Sequence, residues 1–158
     1  HVVFHMIGGG PLLPWFRNSI QKHGLEANFV VYGQVPRERI FNLLPDFDIH
    51  IITSLLEANT TVIWETMSWG IPTISLDHFG MADVINDSCG IKIPVKSYGQ
   101  VVNCLAATLD NLSLNPEKIL QLKKGVYQSA VKYTWNNRID FYESCYKKAI
   151  MNFTSKSK

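Results

Sequence analysis

At 158 residues, 46% apolar and 18% charged, the chain is long enough for one well-filled core and too apolar to be a disordered segment. A net charge of +2, with basic residues scattered except in the last few positions, leaves no footprint for nucleic acid. No apolar run reaches the ~20 residues of a membrane span, so a soluble protein is expected.

The chain opens without a methionine on an apolar run, residues 1–7, that enters directly into Gly8-Gly9-Gly10-Pro11. It reads as a strand and a loop, and a strand as the first ordered element suggests a piece of a longer protein. Residues 11–24 form a predicted helix with Leu12, Leu13, Phe16 and Ile20 at helical spacing, ending at Gly24. A second strand over 27–32 closes at Gly33. Pro36 then opens a helix over 36–44, with Ile40, Leu43 and Leu44 on one face and Arg37 and Arg39 on a solvated one.

Residues 48–53 form a third strand without polar alternation, as expected where both sheet faces are covered. The stretch that follows, residues 54–85, is the most informative in the chain. Asn59-Thr60-Thr61 is suited to capping a helix start. The helix carries Val62, Ile63, Met67 and Trp69, then stops at Gly70 with Pro72 behind it. A buried strand over 72–76 and a loop over 77–80 complete the unit, with Asp83 read as a helix-start acid. A weaker fifth strand covers 90–95. From Ser97 onward the pattern is helical, over 97–111, 116–133 and 136–150, with breaks at Asn115-Pro116 and Thr134-Trp135. Tyr133, Trp135, Tyr142 and Tyr146 read as packing of these last helices, and residues 154–158 as a frayed tail.

Strands alternating with helices argue an α/β fold with a parallel sheet covered on both faces and joined by right-handed crossovers. Such sheets bind ligands outside the carboxyl ends of their strands. The first loop there is glycine-rich but matches neither a dinucleotide fingerprint nor a P-loop. The third offers more chemistry. A helix starting near Asn59 presents free N–H groups and a positive dipole end, a seat for a diphosphate. Glu65, inside that helix, can accept from two vicinal hydroxyls as an acid does for a ribose, and Glu57 can accept from a hydroxyl beyond the phosphates. Either glutamate alone reads as an ordinary surface charge; their joint position around one helix start favours a site.

Other candidates read more plainly. His78 is as readily a loop histidine as a phosphate contact, and His5 and His50 are hydrogen-bonded strand residues. Asp77 and Asp83 lack further ligands for a cation. Cys89, Cys104 and Cys145 show no CxxC or Cys/His pattern, which fits a reducing cytoplasm. The sequons at Asn59, Asn86, Asn111 and Asn152 are read as chance, since a glycan on Asn59 would obstruct the helix start.

Glu57 to Glu65, followed by Met67-Ser-x-Gly70-x-Pro72 and Asp77-x-x-Gly80-x-x-Asp83-Val-Ile, resembles the E-x7-E segment of GT-B glycosyltransferases of family 4. Ile7-Gly-Gly-Gly-Pro11, Val31-Tyr-Gly-x-Val-Pro36, Cys89-Gly-Ile-Lys-Ile-Pro-Val95 and Tyr133-Thr-Trp135 resemble further segments of the same domain, in order. The resemblance implies a Rossmann-like three-layer α/β/α domain with C-terminal helices over 1–153. This would be the donor-binding half of a retaining glycosyltransferase that needs no metal. It implies that Glu57 holds hydroxyls of the transferred sugar as the catalytic candidate, orienting and not attacking. Ala58, Asn59 and Thr60 would hold the distal phosphate and Glu65 the ribose, with backbone near Val35 meeting the base and the turn at Gly10 lining the nucleotide. The implied partners are a UDP-sugar or GDP-sugar, an acceptor sugar or lipid-linked glycan, and an N-terminal acceptor domain that this chain lacks.

The resemblance further implies surface polysaccharide or lipopolysaccharide synthesis, in the cytoplasm or peripheral to the inner face of the plasma membrane. Two departures stand out. Ala58-Asn59-Thr60 replaces the family's frequent Gly-x-Gly, which leaves the sugar open, and the basic pair that clamps the diphosphate would precede His1. A nucleotide-sugar epimerase of similar architecture and a non-catalytic binding domain remain as alternatives.

Overall fold

The computed structural model describes residues 2–56 and 61–156. Among the described residues, five strands alternate with helices through the first two-thirds of the chain. They are β1 (Phe4–Ile7), α1 (Leu13–Lys22), β2 (Phe29–Gly33), α2 (Arg37–Leu43), β3 (His50–Ile52), α3 (Thr61–Ser68), β4 (Thr73–Leu76), α4 (Phe79–Val84) and β5 (Gly90–Ile93). Three longer helices follow: α5 (Tyr98–Leu114), α6 (Pro116–Ala130) and α7 (Trp135–Lys156). Every strand pairing is parallel, but the strands form two ladders, β1-β2 and β3-β4-β5, where the sequence suggests one sheet. The His5 ring of β1 lies 5.0 Å from that of Phe47, just ahead of β3, so the ladders meet through side chains.

The core is built around β4, whose four residues are all buried. Its side chains alternate with period two. Ile74 and Leu76 pack with Ile93 and Leu112 against α5 and α6. The other face of this ladder holds Ile63 and Met67 of α3, Met81 and Val84 of α4, and Val126 of α6. With α6 feeding both clusters, the layers expected from continuous apolar strands are present.

The helix ends follow local rules. Gly70 adopts φ 69°, its N–H donates to the Met67 carbonyl at 3.0 Å, and the Ile71 N–H donates to the Thr66 carbonyl at 3.0 Å, a Schellman stop at the predicted glycine. Ser97 Oγ accepts from the Gln100 N–H at 3.3 Å and caps α5. Val62 and Trp69 are exposed, and Ile63, Thr66 and Met67 make the buried face of α3.

Several expectations are corrected. The loop after β4 is a short helix, so Asp83 falls in its last turn and not at its start. The fifth strand pairs in full register with β4 over four residues. The last helix continues through Thr154 to Lys156. Tyr133 packs on Trp64, with ring centroids 4.8 Å apart, but Trp135, Tyr142 and Tyr146 are exposed. Two of these aromatics, Tyr142 and Tyr146, join Ile139 and Ile150 in an exposed apolar stripe on α7.

His50 begins β3, opposite Thr73 of β4, and its Nδ1 lies 3.2 Å from Thr73 Oγ1. Burial pushes its pKa down to about 4. The unfolded chain therefore takes up a proton near pH 6.5 that the folded one refuses until about pH 4. This contribution is intact above pH 6.5 and is lost as the pH falls from there towards 4, up to about 3 kcal/mol. Melting curves of the parent and His50→Gln at pH 7.5 and 4.5 should show a larger acid loss for the parent; equal losses would count against it.

Candidate functional site

Within each ladder the pairing is parallel, so the carboxyl ends of β1 and β2 lie together, as do those of β3, β4 and β5, and an ion pair between Arg37 and Glu65 joins the elements that follow β2 and β3. The ends of β1 and β2 are joined directly, with the Gly8 N–H donating to the Gly33 carbonyl at 2.8 Å. Gly8 and Gly10 hold φ of 139° and 152°, values that side chains disfavour, which explains a glycine-rich turn here without any phosphate motif. Gly10 is exposed, and its carbonyl accepts the Leu13 N–H at 3.1 Å as α1 begins. Val35 lies partly buried in the loop between β2 and α2.

Glu57, Ala58, Asn59 and Thr60 lie outside the described residues. Glu65 sits within α3, its side chain 16% exposed. Its Oε1 accepts from the Arg37 guanidinium at 2.5 Å, and Arg37 opens α2 immediately after the Val35-Pro36 loop. The pair links the elements following β2 and β3 and fixes one oxygen of the Glu65 carboxylate. Sequence alone puts Arg37 on a merely solvated face. Its side chain is indeed 71% exposed, yet it is paired with Glu65 and its Cζ lies 5.4 Å from the Phe41 ring centroid. The signal that could have found it is its place directly behind a strand-end loop.

After β4, the Asp77 N–H donates to the Ile93 carbonyl at 2.8 Å, and its carboxylate pairs with Lys92 Nζ at 3.4 Å. That lysine also donates to the Ala82 carbonyl at 3.1 Å, tying α4 to β5. Asp77 is therefore a charge partner on the protein's own frame. The His78 ring lies 4.1 Å from that of Phe79, which holds φ 49°, a conformation a bulky residue adopts at a cost. Nothing in the sequence hints at it. Leu55, Leu56 and Phe79 are exposed in the segments after β3 and β4, and so are Asp77 and His78.

His50 lies at the amino end of its strand, away from these loops. Among the described residues, no three His, Cys, Asp or Glu side chains come together as a metal group. No helix among them is long and apolar enough to cross a membrane. A second groove, between β5, α5 and α6, is floored by Ile91, Ile93, Cys104 and Leu122 and contains none of the predicted site residues.

Residues 1–129 match the family described as Glycosyl transferases group 1. The GPI3 subunit of phosphatidylinositol N-acetylglucosaminyltransferase from Saccharomyces cerevisiae is 30% identical over 84 residues, 53% of this chain and 19% of that protein. A subunit of the Arabidopsis thaliana enzyme of the same name is 27% identical over 128 residues, 80% of this chain and 28% of that protein. The chain thus spans less than a third of the curated relatives it matches. In structure it superposes on the pneumococcal O-GlcNAc transferase GtfA, in complex with UDP and GlcNAc, with TM-score 0.77 and 20% identity, covering 94% of this chain and 29% of that one. Anabaena HepE in complex with UDP gives TM-score 0.73 and 19% identity over 91% of this chain and 41% of that one.

Proposed function

The chain belongs to the glycosyl transferases group 1, with the Rossmann-like α/β fold of GT-B glycosyltransferases, and from this we propose that it is the donor-binding domain of a sugar-transferring enzyme. The observation that carries the reading is the half-buried Glu65 carboxylate, held by Arg37 where the elements after β2 and β3 meet. A carboxylate there accepts the vicinal hydroxyls of a ribose, while the start of α3 seats the diphosphate. Glu57 then orients the transferred sugar, Ala58 to Thr60 approach the distal phosphate, Val35 backbone meets the base, and the turn at Gly10 lines the nucleotide.

The reaction moves the sugar from the nucleoside diphosphate to an acceptor hydroxyl with its anomeric configuration kept. The domain's part is electrostatic, since helix N–H groups stabilise the charge growing on the leaving diphosphate. We take UDP-N-acetylglucosamine as the first donor to test, because GtfA is named as a complex with UDP and GlcNAc and the curated relatives are named N-acetylglucosaminyltransferases. The acceptor, on this reading a glycan or lipid-linked glycan, is met by a further domain.

The test is a titration of the protein with UDP, GDP, ADP and UDP-N-acetylglucosamine, followed by NMR of the product formed by the full-length enzyme. Binding of one nucleoside diphosphate, with a dissociation constant of roughly 1 mM or tighter, is expected. No binding of any would leave the non-catalytic alternative standing, and conversion of the donor sugar without transfer would favour an epimerase.

A further inference from the structure

We propose that Arg37 is the positioning residue that makes this site prefer a ribose over a 2′-deoxyribose; the inference rests on Glu65 as the ribose acceptor. A glutamate on a helix can take several staggered rotamers, so the helix alone does not fix where its carboxylate lies. The structure shows what does. Arg37 Nη2 lies 2.5 Å from Glu65 Oε1, and the same guanidinium rests over the Phe41 ring one turn further along α2. Phe41 is partly buried, so the order of support runs from Phe41 through the planar guanidinium to the carboxylate.

The chemistry suits the task. A guanidinium stays charged at any working pH and presents its donors in a fixed plane, so it pins a carboxylate more firmly than a flexible ammonium does. An ionised carboxylate has about four acceptor positions, so an Arg37 bond at Oε1 leaves others for sugar hydroxyls. Arg37 is 71% exposed and Glu65 16%, so the guanidinium sits at the solvent edge of a carboxylate that is itself largely sheltered, where it can fix the carboxylate's direction. Arg37 also opens α2, directly after the Val35-Pro36 loop.

The positioning role separates from the two plain alternatives by experiment. Parent, Arg37→Ala and Arg37→Lys proteins are titrated calorimetrically with UDP, GDP and ADP and their 2′-deoxy counterparts. The parent should bind one ribonucleotide about tenfold more tightly than its deoxy form. Arg37→Ala should weaken the ribonucleotide and bring the ratio close to one, with a cooperative melt showing that the fold is kept, and Arg37→Lys should recover part of the ratio. A parent-like ratio in Arg37→Ala overturns the inference. Equal weakening of both forms also overturns it, since it marks a direct contact to the diphosphate. A parent that binds none of the six nucleotides overturns the nucleotide reading itself, and is told apart because its own titrations are flat.

Discussion

Glu65→Ala should weaken nucleotide binding about tenfold to a hundredfold while leaving the melting temperature within about 2 °C of the parent. Hydrogen bonds to a charged acceptor contribute about 1.5–3 kcal/mol each, and every 1.4 kcal/mol is a factor of ten in affinity. The stability cost is small because the partner left behind, Arg37, is 71% exposed and returns to water. Neighbouring α3 residues Ile63, Thr66 and Met67 carry the packing of that helix, and the substitution touches none of them. Calorimetry with UDP and a thermal melt together check the claim. Parent-like affinity in Glu65→Ala would remove this residue from the site.

Gly125→Val should cost about 3 kcal/mol or more, lowering the melting temperature by roughly 10 °C in a chain of this size. Gly125 lies in α6 where the helix presses on the turn before β5. A Cβ there would sit 2.6 Å from the Ser88 carbonyl carbon and closer still to its oxygen. The obstacle is backbone, so no rotamer change relieves it. The helix must lift, and with it Val126, which is fully buried between Ile63, Met67 and Cys89. Gly99→Ala in α5 is the control, since a Cβ there meets nothing within 4 Å and alanine favours the helix by up to about 1 kcal/mol. Differential scanning calorimetry that found Gly125→Val as stable as Gly99→Ala would show that α6 does not need this contact.

The order of elements is legible because its signals are local. Gly70 and Pro72 stop α3 at the residue where a left-handed cap is seen, and the apolar run of β4 is buried on both faces. What is not legible depends on distance through space. The six residues of α4 are too few to show a period, and the unusual φ of Phe79 leaves no mark in composition. The aromatic residues of α7 have the spacing of a packed helix whether or not a covering surface is present, so their exposure cannot be foreseen. Arg37 meets Glu65 across two helices that follow strands of different ladders, a contact between segments far apart in the chain that no local pattern encodes. Glu65 is proposed from its spacing to Glu57 and to the helix stop, a pattern within one stretch of chain.

The most direct measurement is a crystal structure of the protein with UDP bound. A donor site built on Glu65 predicts one of its carboxylate oxygens within about 3.2 Å of the ribose 2′ or 3′ hydroxyl, and the diphosphate at the start of α3, near Thr61. A ribose seated away from Glu65, or UDP lodged in the groove between α5 and α6, would contradict it.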